Sequence, residues 1–274
     1  MPTWIEYQLI DEFEGYLHRI RRLTRADAGQ LERIGAWVPF TLFEYLLATA
    51  NTILLLLRQD MWDQCRPLMR SMFSAAFNVL AICGDDEADG VALQFVLHAV
   101  SVRRRRFRRL QRTGAIEQEL ADDMERKENL READIIADLK RKYGVEPVWF
   151  GARSDTWSGL SDEELAEMVG ASDWCLDYYG PLSDASHVNV AGIWKHLRLR
   201  TGGTMIHDSL VEILDPVVDV VDTSSAALIG RLGLRRKEAL EKATEHFRKE
   251  RFKFVNTDIF GPERRPARSD DIDG

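Results

Sequence analysis

Cysteine is scarce in this chain: Cys65, Cys83 and Cys175 are its only three, none forms a CxxC pair, and each falls inside an apolar helical pattern. That scarcity argues against a disulfide framework and a paired-cysteine zinc site, and it suits a reducing, cytoplasmic compartment. Positive charge is also short: 37 Lys and Arg stand against 45 Asp and Glu, a formal net charge of −8. General nucleic-acid binding, which draws its affinity from cations on phosphates, is not expected of such a chain. The opening residues, Met1-Pro2-Thr3-Trp4 with Glu6, Asp11 and Glu12 close behind, lack the basic flank and compact apolar run of a secretory signal. Alternating apolar and polar stretches long enough for a sheet are missing, as are internal repeats. No Walker loop, dinucleotide fingerprint or HExxH pair occurs, so no metal or cofactor is expected.

What the chain does have is helical periodicity. Its 274 residues, 45% hydrophobic, suffice for a substantial core. Ile5, Leu9, Ile10, Phe13, Leu17 and Ile20 recur at helical spacing from Trp4 to about Leu23. A shorter helix is expected over Ala26 to Trp37, and Pro39 suits the first turn of an apolar helix running to about Gln59. Further helices are expected over Trp62 to Cys83, from about Asp86 to Arg112, and from Ile116 to Tyr143. The last is a charged helix packing on a narrow face of Leu120, Met124, Leu130, Ile135 and Leu139. Gly84-Asp85-Asp86, Thr113-Gly114 and Gly144 supply the breaks.

Ser161-Asp162-Glu163-Glu164 reads as a capping box opening a short helix to Val169. Helical patterning resumes at Ser172, breaks at Gly180-Pro181 and continues to about Arg200. Met205 to Leu232, kinked at Pro216, and Arg235 to Phe254 complete the set. The expected fold is all-α, an antiparallel bundle of about eight or nine helices. The expected organisation is an N-terminal helical extension over 1–37, the bundle over 38–256 and a disordered tail over 257–274. Val38 to Leu57 is apolar enough to pass for a membrane span, but Pro39, Glu44 and Asn51 interrupt it. A carboxylate mid-span costs roughly 2.5 to 3.5 kcal/mol on insertion scales. A buried core helix is the expectation, with no membrane partner.

Three constellations bear on function. Arg66, Arg70, Ser74 and Asn78 fall every fourth position, a polar stripe on a helix whose other faces carry Leu68, Met69, Phe73, Phe77 and Leu80. An arginine buried there needs a partner, and Glu44 is the expected one. Such a pair fixes helix register; alternatively Arg70 contacts an anion or substrate in a central cleft. Second, Ser183 and His187 lie one turn apart after Tyr178, Tyr179 and the Gly180-Pro181 break. A histidine beside hydroxyls serves as acid, base or anion contact near neutral pH, or as a hydrogen-bonded core residue. Third, the basic run Arg103 to Arg112 faces Glu117, Glu119, Asp122, Asp123 and Glu125 across the Thr113-Gly114 turn. Intramolecular pairing is favoured there over RNA binding.

The order of these features, from Arg66–Asn78 through Lys142-Tyr143-Gly144, Trp157 and the capped Ser161 helix to Tyr179-Gly180-Pro181-Leu182-Ser183 and His187, resembles the bacterial domain-of-unknown-function family 5677. The resemblance covers roughly Phe43 to His196. It implies an all-helical cytosolic protein in which Arg70, Ser183 and His187 meet in the bundle interior. It also implies a glutamate shortly after the Arg70-Ser71 pair, where this chain has Ser74. Arg200 and His207, with six residues between them, loosely resemble the spaced arginine and histidine of HEPN-type ribonucleases, although Gly202-Gly203 interrupts that interval.

Two functions remain open at this level. One is a nonenzymatic binding or regulatory module, homo-oligomeric through its apolar helices, with Arg66, Glu44 and Tyr179 as contacts. The other is a ribonuclease or phage-defence effector. In that reading His187 or His207 acts as acid/base, with Ser183 beside the first, and Arg70 or Arg200 stabilises the transition state.

Overall fold

In the computed structural model, residues 4–144, 156–179 and 206–259 are described. Among them there are helices and no strands, and an all-α bundle fits. Helix α1 (Trp4–Leu23) buries Leu9, Ile10, Phe13, Leu17 and Ile20, the stripe its periodicity predicts, together with Tyr16. The rings of Phe13 and Tyr16 meet Phe247, at centroid distances of 5.8 Å and 5.4 Å. Phe247 belongs to α9 (Lys237–Ile259), which continues five residues beyond the expected end at Phe254. The residues of α1 therefore share one core with the later helices.

Helix α2 (Ile34–Arg58) differs from expectation at its start. The Ala26 to Trp37 helix is replaced by a single 3-10 turn, Gly29–Leu31, and α2 begins at Ile34, before Pro39. The boundary expected between residues 37 and 38 therefore falls inside a helix. The added turn is held from outside. Arg33 at the N-cap offers no side-chain cap, but Asp89 of α4 (Ala88–Arg112) accepts the Gly35 amide at 2.7 Å and the Arg33 guanidinium Nε at 2.9 Å. An orphan first-turn amide is thus capped by a carboxylate from another helix, a placement the helix dipole also favours. Gly35 permits the approach: a Cβ there would stand 2.7 Å from the Ala88 carbonyl carbon and 2.8 Å from the Asp89 nitrogen.

Asp60, in the left-handed region at φ 61°, turns the chain out of α2 and accepts the Trp62 indole N–H at 2.6 Å. A 3-10 turn, Trp62–Gln64, then leads into α3 (Cys65–Gly84), which packs along α2 and buries Met69, Met72, Phe73, Ala76, Phe77, Val79 and Ile82. Helices α2 and α3 are both long and apolar enough to cross a membrane by length and composition. About half of each apolar window, 44% and 50%, is buried inside the bundle. Glu44 within α2 and Asp60 just beyond its end meet protein donors, Arg21 and Trp62.

Helix α5 (Gln118–Tyr143) folds back on α4 and ends, as expected, at Gly144 in the left-handed conformation (φ 66°). Its packing face is shifted from the expected one. Ala121 is buried and Ile135, Ile136 and Leu139 pack on the core, whereas Leu120 and Leu130 are exposed. Arg108 pairs with Glu125, and Arg103 lies 3.9 Å from Glu128, so part of the basic run of α4 is met by the acids of α5. Helix α6 (Asp162–Met168) carries the capping box in both halves: Glu164 N–H donates to Ser161 Oγ (3.3 Å) and Ser161 N–H to Glu164 Oε2 (2.8 Å). The short α7 (Ser172–Trp174) passes into a π-helical turn, Cys175–Tyr179. Helix α8 (Ile206–Arg231) runs through Pro216 and lies against α3, α2 and α9.

Candidate functional site

The stripe on α3 opens into a cleft. Arg70, Ser71, Ser74 and Asn78 form one wall, Leu42 and Tyr45 of α2 form the other, and the cavity is about 300 Å³. The four-residue spacing explains the geometry, because side chains one turn apart stack along one face of a helix. Arg66, a turn earlier and half-buried, does not line the cleft.

The neighbouring face of α3 fixes what stands behind the stripe. Phe73 stacks on Tyr178 (5.8 Å) and meets Trp174 edge-on (6.0 Å), while Phe77 meets Tyr179 edge-on (5.9 Å). These contacts seat the π-helical turn on α3. Tyr179 thereby comes under Arg70, whose guanidinium carbon lies 5.5 Å from the ring centroid, and its hydroxyl donates to Asp162 at the start of α6. A cation over an aromatic face is held by the ring quadrupole, at about 0.5–1 kcal/mol when exposed and more when desolvated. Asn78 is also oriented: its amide N–H donates to the Ser74 carbonyl (2.6 Å), and its oxygen accepts the indole N–H of buried Trp157. Gln94 of α4 in turn donates to the Trp157 carbonyl at 3.2 Å.

Burial raises the Tyr179 phenol above its ordinary pKa, and its bond to Asp162 adds to the effect. Donors from Arg70 and Ser74 oppose both. The phenol is therefore a neutral hydrogen-bonding group over the physiological range. Because its folded pKa exceeds the unfolded value of about 10, its contribution to stability is complete below that pH and is lost as pH rises through the folded value. In an ultraviolet alkaline titration, Tyr179→Phe should remove one late-ionising phase and leave the earlier ones unchanged.

The expected Glu44–Arg70 pair does not form. Glu44 Oε2 instead receives Arg21 of α1 at 3.4 Å, on a partly exposed face of α2, while Arg70 stands over Tyr179. Helical phase had placed both residues on facing helices without fixing which side of α2 Glu44 occupies. Of the remaining candidates, Ser183, His187 and Arg200 lie outside the described residues. The backbone of His207 lies in the first turn of α8 and its side chain is not described. Asp162, Trp157 and Gln94 were missed as site residues. Asp162 reads in sequence as a first-turn acid of a capped helix, and only the fold of the π-helical turn carries a phenol to it.

The described residues thus define an all-helical bundle with a polar stripe of α3 exposed in a cleft. Residues 36–204 match the Family of unknown function (DUF5677), and the chain belongs to that family. No curated protein and no solved structure matches the chain.

Proposed function

We propose that this protein is a nonenzymatic binding module that holds a small carboxylate-bearing ligand in the α2–α3 cleft. The observation that carries this reading is the Arg70–Ser74–Asn78 stripe, anchored by Tyr179 and Trp157 and open to a cavity of about 300 Å³. Arginine presents its donors in a planar fork that matches a carboxylate, and a single guanidinium balances a single carboxylate charge. The cavity is at the small end of the range for small-molecule pockets, roughly 300–1,000 Å³. Leu42 and Tyr45 give the ligand's body an apolar wall. A neutral, buried phenol behind the arginine supports orientation of the ligand rather than proton abstraction from it.

Incubating the full chain with total RNA and labelled tRNA separates this reading from a ribonuclease. The expected result is intact RNA for the wild type and for His187→Ala and His207→Ala variants of equal thermal stability. Cleavage by the wild type that disappears in either variant would overturn the binding-module reading.

A further inference from the structure

A second cavity, of about 580 Å³, lies between α1 and α9. Arg19, Arg22 and Leu23 line it from α1, and Lys242, Ala243 and His246 from α9. Helical spacing again brings the charges together, i to i+3 on α1 and i to i+4 on α9. In a chain of formal net charge −8 this is a local concentration of cationic and imidazole groups around an apolar floor.

Capping of α1 does not account for it. The last carbonyls of α1 and those just beyond it are already met by Arg236, whose Nη1 donates to Arg22 O (3.2 Å), Leu23 O (3.0 Å) and Arg25 O (3.0 Å). Lys242 and His246 do have carboxylate neighbours, Glu238 at 2.6 Å and Glu12 at 3.5 Å. Both pairs are largely solvent-exposed, and such pairs contribute little and yield readily to a better acceptor. Arg19 is different. Its Nε and Nη2 are buried and meet no hydrogen-bond partner among the described residues. A buried guanidinium edge without an acceptor is costly, and a turn of the Arg19 side chain toward the cavity it lines would let an anion there satisfy it.

We propose that this cavity is a binding site for a small phosphorylated ligand. Its phosphate oxygens accept from Arg19, Arg22 and Lys242, and its body rests on Leu23 and Ala243. Several donors around one cavity suit the multiple charge of a phosphate or diphosphate better than that of a single carboxylate. Both helices lie outside the matched residues 36–204, so this site belongs to the chain's flanking helices and is independent of the α2–α3 cleft.

Isothermal titration of the full chain with inorganic pyrophosphate tests it. The expected result is one-to-one binding that weakens at least tenfold in Arg19→Gln. Arg19 is partly buried, so Arg22→Gln/Lys242→Gln, which alters two exposed side chains, serves as the second variant, with the same tenfold loss expected. Arg106→Gln, on the exposed basic run of α4, should bind pyrophosphate as the wild type does. Absence of binding by the folded wild type would overturn the proposal. So would unchanged affinity in Arg22→Gln/Lys242→Gln, or an equal loss in Arg106→Gln.

Discussion

Gly35→Ala should lower the free energy of unfolding by about 2–3 kcal/mol, the upper part of the range for overpacking a close contact. The new methyl group would meet backbone atoms of Ala88 and Asp89 at 2.7–2.8 Å, and backbone cannot swing aside as a flexible side chain would. Asp89→Ala should cost a similar amount by a different route, leaving the Gly35 amide and Arg33 without their acceptor. Since both changes break one junction between α2 and α4, the double variant should lose clearly less than the sum of the singles. Urea midpoints at constant m-value measure all three. Losses below about 0.5 kcal/mol, the ordinary range for surface substitutions, would show that the junction does not hold the start of α2.

Phe73→Ala should be more damaging, at about 3–5 kcal/mol, because it removes a fully buried ring. That ring touches Tyr178, Trp174 and Phe77, so the loss falls where α7 and the π-helical turn are seated on α3. Near-ultraviolet circular dichroism should report the freed aromatics before global unfolding does. Leu55→Ala, 60% exposed on α2, is the matched control and should stay within about 0.5 kcal/mol. Equal effects in the two variants would mean that Phe73 does not anchor the turn.

Much of this architecture was legible from periodicity and turn chemistry alone. The breaks at Thr113-Gly114 and Gly144, the Ser161 capping box and the apolar stripe of α1 all depend on local sequence, and the structure has them where the sequence places them. The start of α2 was not legible. Local rules put Pro39 in the first turn, but the cap that lets the helix begin at Ile34 comes from Asp89, 54 residues beyond the amide it holds. The face of α5 differs for a related reason: with apolar residues sparse, Leu120 and Leu130 suggest one stripe, whereas packing against α4 selects the face of Ala121 and Ile136.

The site divides along the same line. The Arg70–Ser74–Asn78 stripe follows from a four-residue spacing, so sequence shows it directly. The partner of Arg70 does not, because facing helices leave the side of α2 that Glu44 occupies undetermined. Tyr179 was singled out for its place beside the Gly180-Pro181 break, whereas its role depends on Phe77 and Asp162, contacts that only tertiary packing creates.

The most direct test of the α2–α3 cleft as a carboxylate site is thermal unfolding of the full chain with the monocarboxylates butyrate, benzoate and phenylacetate, in wild type and in Arg70→Gln. A ligand at a hundredfold excess over its Kd adds about 2.7 kcal/mol to the folded state. The account predicts that at least one of the three raises the wild-type Tm by several degrees. The rise should vanish in Arg70→Gln and persist in Arg22→Gln/Lys242→Gln. No rise with any of them, or one that survives Arg70→Gln, would contradict it.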